Sequence, residues 1–268
     1  MMPLFQAFVR ANMRASYLID RLVPNRLRTD GNHDFETDFV WRYLQPRQTI
    51  YDVGGGKQPL LTLEKKRALG SRVIGVDISA EELSQAPPGV YDKIIVADIA
   101  SLTGEGDSDV VLCRAVLEHV ANVSAAIVSV ASLLKPGGVC LVFIPCRNAA
   151  FARLNLLLPE GLKRRLLFSV FPSAKLTQGF PSYYDKCTPL AISEAAAASG
   201  LRVRETRLYY MSSYLSFLLP LHLVWRLWTL IVSAMRAENL CETFSMALEK
   251  PRDQTIMARP PTRWTNAS

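Results

Sequence analysis

The sequence predicts an α/β fold built on a doubly wound, mostly parallel sheet, and three observations carry that expectation. Five short runs are continuously apolar, three of them lead into an aspartate, and helical patterns separate most of them. Continuously apolar runs mark parallel strands covered on both faces, whereas strands with one wet face alternate. Strands alternating with helices place ligands outside the carboxyl ends of the strands.

The first run, Thr49-Ile50-Tyr51-Asp52-Val53, passes straight into Gly54-Gly55-Gly56-Lys57. Glycines there let the backbone approach a ligand closely and take positive φ without steric cost. A helical pattern from Pro59 to Ala68 closes on Gly70, and Arg72-Val73-Ile74-Gly75-Val76-Asp77 follows. Asp77 then stands at a strand tip, where doubly wound folds place the carboxylate that takes ribose hydroxyls. Lys93-Ile94-Ile95-Val96-Ala97-Asp98 repeats the pattern. Asp109 to Cys113 and Val139 to Ile144 complete the set, with a helix from Ser124 to Leu134 closing on Lys135-Pro136-Gly137-Gly138. The three acids at successive strand ends stand 25 and then 21 residues apart. Any one of them could be a turn residue or a helix cap; a regular series favours a ligand site.

In order, Asp52-Val53-Gly54-Gly55-Gly56, Gly75-Val76-Asp77-Ile78, Ala97-Asp98-Ile99, Ala115-Val116-Leu117-Glu118-His119-Val120 and Leu134-Lys135-Pro136-Gly137-Gly138 span about residues 49 to 145. This series resembles the motifs of class I S-adenosylmethionine-dependent methyltransferases. The resemblance implies a Rossmann-like sheet whose last strand is antiparallel. It assigns Asp52, Gly54 and Gly56 to the methionine end of the cofactor, Asp77 to the ribose hydroxyls and Asp98 with Ile99 to the adenine, and it counts Gly55 and Ile78 among the cofactor-binding residues. One departure is plain: the family usually has a third glycine where this chain has Gln58, and Pro59 after it suits a first helical position. A NAD-dependent oxidoreductase is the rival at fold level, because its fingerprint shares the acid after the second strand; its G-x-G-x-x-G spacing lacks the last glycine here.

A chain of 268 residues with 49% hydrophobic content is globular. Cys113, Cys140, Cys146, Cys187 and Cys241 have no paired spacing, and His33, His119 and His222 lie far apart. Reduced thiols in a cytoplasmic setting and no metal site are therefore expected. Met1 to Arg14 is broken by Gln6, Arg10 and Asn12, so no cleavable signal peptide is read there. The net charge of +7 gathers in the first thirty residues and at Lys163-Arg164-Arg165. Without interleaved stacking aromatics it does not read as a nucleic-acid surface.

Leu208 to Met235 is rich in Leu, Tyr, Phe and Trp. From Pro220 to Arg236 the polar residues His222, Arg226, Thr229, Ser233 and Arg236 recur at steps of four, three, four and three. That is one polar stripe on an otherwise apolar helix. The flanking runs, Leu201 to Thr206 and Thr243 to Glu249, resemble the last two strands of the methyltransferase sheet, so a single membrane crossing would separate them. The insert is expected to lie in the plane of a membrane interface with Leu223, Trp225, Leu227, Trp228, Leu230 and Ile231 at headgroup depth and Arg226 and Arg236 toward anionic lipid. A helix covering the sheet, or a contact in a homo-oligomer, is the other reading.

Residues 1–48 are expected to form a helical cap, 49–145 the cofactor core, 146–200 an acceptor and lid region, 201–250 the last two strands with the insert 208–236, and 251–268 a flexible tail. Thr188 caps a helix with Pro189 at its first position and Gly200 at its stop. Methyl transfer asks mainly for alignment of a nucleophile. An oxygen nucleophile also needs a base, for which His119, Tyr183 and Tyr184 are the candidates, with Asp185 beside them. The expected activity is methyl transfer to a small-molecule, lipid or lipid-linked glycan acceptor on the inner face of a membrane; the rival is a non-catalytic membrane- or partner-binding module on the same fold.

Overall fold

The computed structural model describes residues 2–157, 161 and 180–252. The basic group Lys163-Arg164-Arg165 lies outside the described residues, as do most of the expected tail and the middle of the lid region.

Seven strands, β1 Thr49–Val53, β2 Arg72–Asp77, β3 Lys93–Val96, β4 Ser108–Arg114, β5 Leu134–Pro145, β6 Arg202–Tyr209 and β7 Thr243–Glu249, form one sheet in the order β3-β2-β1-β4-β5-β7-β6. β1 to β5 pair in parallel, while β7 runs antiparallel to β5 on one side and β6 on the other. Strand order reverses between β1 and β4, and such a switch point opens a crevice at the carboxyl ends.

Both faces of the central strands are buried, as their unbroken apolar runs require. Tyr51, Val53, Val111, Cys140 and Val142 join one core with α4 (Val123–Leu133) and α6 (Pro189–Ala198). Ile50, Val110, Leu112, Leu141 and Phe143 join the other beneath a helical segment from Gly31 to Arg42, where Phe35 stacks on Phe39 at 5.8 Å between centroids. β3 departs from the expectation: Ile94 and Val96 are exposed, because an edge strand has one neighbour and no helix over that face.

Several local signals hold. Asn122 caps α4 through Ala125, and Thr188 caps α6 with Pro189 in its first turn. The expectation for Pro59 is corrected. The helix α2 (Leu63–Leu69) starts after Thr62, whose hydroxyl accepts from Lys65 N–H, and Pro59 stays in the loop. The reason is the chain just before it, where Leu60 N–H is drawn down onto Asp52 Oδ2 at 3.0 Å. The helices α3 (Ala80–Ser84) and α5 (Ala150–Leu157) flank the carboxyl edge.

The insert forms α7 (Leu219–Ala234). Its polar stripe is real but faces inward: His222, Arg226 and Thr229 are buried together with Trp225 and Val232. Asp20, the last residue of the N-terminal helix α1 (Met2–Asp20), takes both His222 Nε2, at 2.9 Å, and Arg226 Nε. Arg226 also donates to the carbonyls of Leu27 and Tyr210, and Trp225 Nε1 donates to Glu242 Oε1 at 2.7 Å. The expectation that Trp225 and Arg226 meet lipid is therefore wrong, because tertiary ion pairing claims them. Leu223, Leu227, Trp228, Leu230 and Ile231 do face outward. No helix among the described residues is long and apolar enough to cross a membrane.

Candidate active site at the switch point

A cavity of about 330 Å³ opens at the carboxyl ends of β1, β2 and β4. Val53 and Gly54 form its floor, Asp77 and Ile78 one wall, Asp98 and Ile99 the far end, and Val116, His119 and Val120 the opposite side. Phe180, Pro181 and Tyr183 close it from above.

The glycine loop is set by contacts from below. Gly54 has φ +70 and its N–H reaches across to Val76 O at 2.7 Å; a Cβ there would stand 2.3 Å from Val116 Cγ2. Gly55 is pressed against the Tyr91 hydroxyl and Asp52. Asp52 does not line the cavity. It is buried under the loop, accepting from Leu60 N–H and, at 3.4 Å, from the Tyr91 hydroxyl. Burial pushes its carboxyl up to about 6, against the pull of Leu60 N–H and Arg114. Asp52 thus fixes the loop from beneath, and Tyr91, which no sequence motif marks, fills the space that Gly55 and Gly75 leave open.

Asp77 has one oxygen committed to Ser79 N–H at 2.9 Å. The other faces Gly56, where an added Cβ would stand 3.1 Å away. Burial raises its carboxyl, opposed by the Ser79 N–H. Asp98 accepts from Ala100 N–H in a local turn and is exposed, with Ile99 buried beside it.

His119 ends a single helical turn, Leu117–His119, after β4. Its Nδ1 lies 2.9 Å from Pro181 O. A carbonyl only accepts, so Nδ1 donates this bond. Glu118 Oε1 stands 4.0 Å from Nε2 of the same ring. The Glu118 side chain is buried, its Oε2 has no hydrogen-bond partner, and burial pushes its carboxyl up to about 8. Its backbone carbonyl accepts the N–H groups of both Tyr183 and Tyr184, at 2.8 and 3.0 Å, which ties the roof of the cavity to its wall.

Those two tyrosines part company. Tyr183 lines the cavity and is 49% exposed; Tyr184 is 4% exposed, has φ +51, and points into the core away from the cavity. The structure therefore brings Gly54, Asp77, Ile78, Asp98, Ile99, His119 and Tyr183 to one cavity, and leaves Asp52, Gly55, Gly56 and Tyr184 outside its wall. Glu118 belongs beside the site although only its neighbour was singled out in the sequence. No cluster of metal-ligating side chains is present among the described residues.

Comparison with known proteins agrees with this geometry. Residues 18–206 match the family described as a methyltransferase domain. A protein of Burkholderia thailandensis named ubiquinone biosynthesis O-methyltransferase is 28% identical over 172 residues, covering 60% of this chain and 68% of its own. The protein of that name from Burkholderia pseudomallei is 31% identical with the same coverage. Among solved structures, an S-adenosylmethionine-dependent methyltransferase from Mesorhizobium loti superimposes with a TM-score of 0.52 at 14% identity, covering 82% of this chain and all of that one. The oxidoreductase reading is thereby displaced. With a family match over most of its length and a ligand cavity at the switch point of the matching sheet, the chain belongs to the class I S-adenosylmethionine-dependent methyltransferases.

Proposed function

We propose that this enzyme methylates a hydroxyl oxygen on a small lipid or lipid-linked acceptor, and that it does so at the cytoplasmic surface of a membrane. The observation that carries the oxygen assignment is His119, which lines the cavity and whose Nδ1–H is held by Pro181 O, leaving Nε2 as the nitrogen that can take a proton. The names of the two Burkholderia relatives support the same chemistry.

The residues present fit the cofactor. Asp77 offers a carboxylate oxygen for ribose hydroxyls, Ile78 and Ile99 offer apolar faces for a base, and Asp98 offers an acceptor for its amine. The bare backbone of Gly54 would receive the methionine end, with Gly55, Gly56 and Asp52 shaping the loop behind it. Bound there, S-adenosylmethionine supplies a methyl group already activated by its sulfonium. His119 takes the hydroxyl proton at Nε2, and Tyr183 in the roof aligns the acceptor. Tyr184, buried in the core, keeps only a supporting part. In this division of labour residues 49–145 hold the cofactor, 146–200 the acceptor, and 201–250 complete the sheet and carry the membrane contact. The outward apolar residues of α7 support a lipid-borne acceptor.

Mass spectrometry of lipid extracts from a strain lacking the gene should show a species lighter by one methyl, which then serves as acceptor in vitro. With it, His119→Ala should lower turnover by roughly 10²–10⁴ while calorimetry shows nearly unchanged affinity for S-adenosylmethionine. Unchanged turnover removes His119 as the base; a methyl-deficient species found only in the aqueous extract removes the lipid acceptor.

A further inference from the structure

α7 is amphipathic inside out. His222 and Arg226 are 0% and 3% exposed, whereas Leu227 and Trp228 are 61% and 45% exposed. α1 shows the same inversion. Val9, Ser16 and Asp20 face the protein, and the stripe Leu4, Phe8, Leu18 faces away, with Leu4 at 79% exposure and Leu22 exposed just past the helix. Arg10 and Arg14 on α1, and Arg21 just after it, are all exposed.

The two helices are bound into one body. Leu219 N–H donates to Asn12 Oδ1 at 2.9 Å, Ser16 Oγ donates to Ser216 O at 3.1 Å, and Asp20 takes His222 and Arg226. Burial alone would raise the Asp20 carboxyl, but His222 and Arg226 together hold it below its ordinary value. A charged cluster of this kind pins one geometry, because separating the helices would leave a buried charge unpaired. Apart from His222 Nδ1, the polar side chains on the inward faces are therefore committed, and the outward apolar ones stand exposed.

Charge decides what covers them. Residues 2–29 and 208–236 contain a single acid, Asp20, which is buried in that cluster, while Arg10, Arg14, Arg21, Arg26 and Arg236 are exposed. A second copy would bring two cationic faces together, which is unfavourable. An anionic lipid leaflet complements both the apolar stripes and the arginine rim. We infer that α1 and α7 form a single two-helix platform that docks on an anionic bilayer, with α1 an equal partner and not merely a cap on the fold. The inference rests on the membrane reading above and adds the second helix, the orientation of α7 and the source of the charge.

Flotation of the full-length protein with vesicles of phosphatidylcholine alone or mixed with phosphatidylglycerol tests it. The wild type should float with the mixed vesicles. Leu227→Ser with Trp228→Ser on α7, and separately Leu4→Ser with Phe8→Ser on α1, should each release it. Arg10→Glu with Arg14→Glu should weaken binding by about tenfold or more, an arginine near an anionic surface being worth roughly fivefold in affinity. All these side chains are exposed, so binding of S-adenosylmethionine by calorimetry should stay at the wild-type value and certify the fold. If the α7 pair releases the protein while both α1 pairs bind like the wild type, the two-helix platform is overturned and the membrane reading survives. If the wild type floats with no vesicle, both fall; a wild-type dimer that the α7 pair turns into a monomer would then name a second copy as the occupant.

Discussion

Two buried acids show how differently the two halves of this molecule treat charge. Asp20, in the helix pair, is enclosed by His222 and Arg226, and its carboxyl lies below the ordinary range although burial opposes it. Glu118, beside the cavity at the switch point, stands 4.0 Å from the His119 imidazole, keeps one oxygen without a partner, and is pushed by burial up to about 8. Both burials cost desolvation; only the first is offset by opposite charge. An acid met by opposite charge marks a joint, whereas one left without it next to a cavity marks a candidate for chemistry.

The comparison can be broken most forcefully at the joint. Arg226→Ala leaves Asp20 buried with His222 alone, and stability measured by urea unfolding should drop by about 3–5 kcal/mol. A loss of a few tenths would show that the polar stripe of α7 is solvated and the inversion unreal. At the other acid the effect is one of pH. Folded Glu118 holds its proton up to about 8 while the unfolded chain releases it near 4.5. The native state thus binds more protons across that window, and stability falls as pH rises through it, at up to about 1.4 kcal/mol per pH unit. Glu118→Gln should flatten that slope and raise the melting temperature above pH 8; an unchanged slope would mean that Glu118 is ionised or solvated. The smallest of the three concerns the cavity wall itself. Asp77→Ala should weaken S-adenosylmethionine binding by roughly 1.5–3 kcal/mol, the range for hydrogen bonds to a charged group. Calorimetric affinity equal to that of the wild type would take Asp77 out of the ribose site.

How much of this was legible depended on whether the cause was local. The strands from Thr49 and Arg72 and the cap at Thr188 follow from residues within a few positions of one another, and the structure has them where the pattern puts them. The polar stripe of α7 was equally visible. Its direction was not, because periodicity defines a face without saying on which side the protein lies; the acid that decides it stands 202 residues away from His222. The start of α2 was misplaced because Asp52 reaches forward to Leu60 and lengthens the loop. Tyr183 and Tyr184 read alike as neighbours, yet one lines the cavity and the other, at φ +51, lies in the core. Glu118 sits within a motif, but a carboxyl without a partner is a property of its enclosure, which no spacing records.

The placing of β7 bears on how the chain is made. β6 touches the sheet only through β7, which is threaded between β5 and β6 and comes last in the sequence. During synthesis the edge of β5 stays open, and β6 and the insert have no sheet to join, until residues 243–249 have been released. A chain stopped short of Thr243 would therefore lose a strand from the interior of the sheet and not from its rim, setting β6 adrift and baring the apolar flank of β5, a template for aggregation.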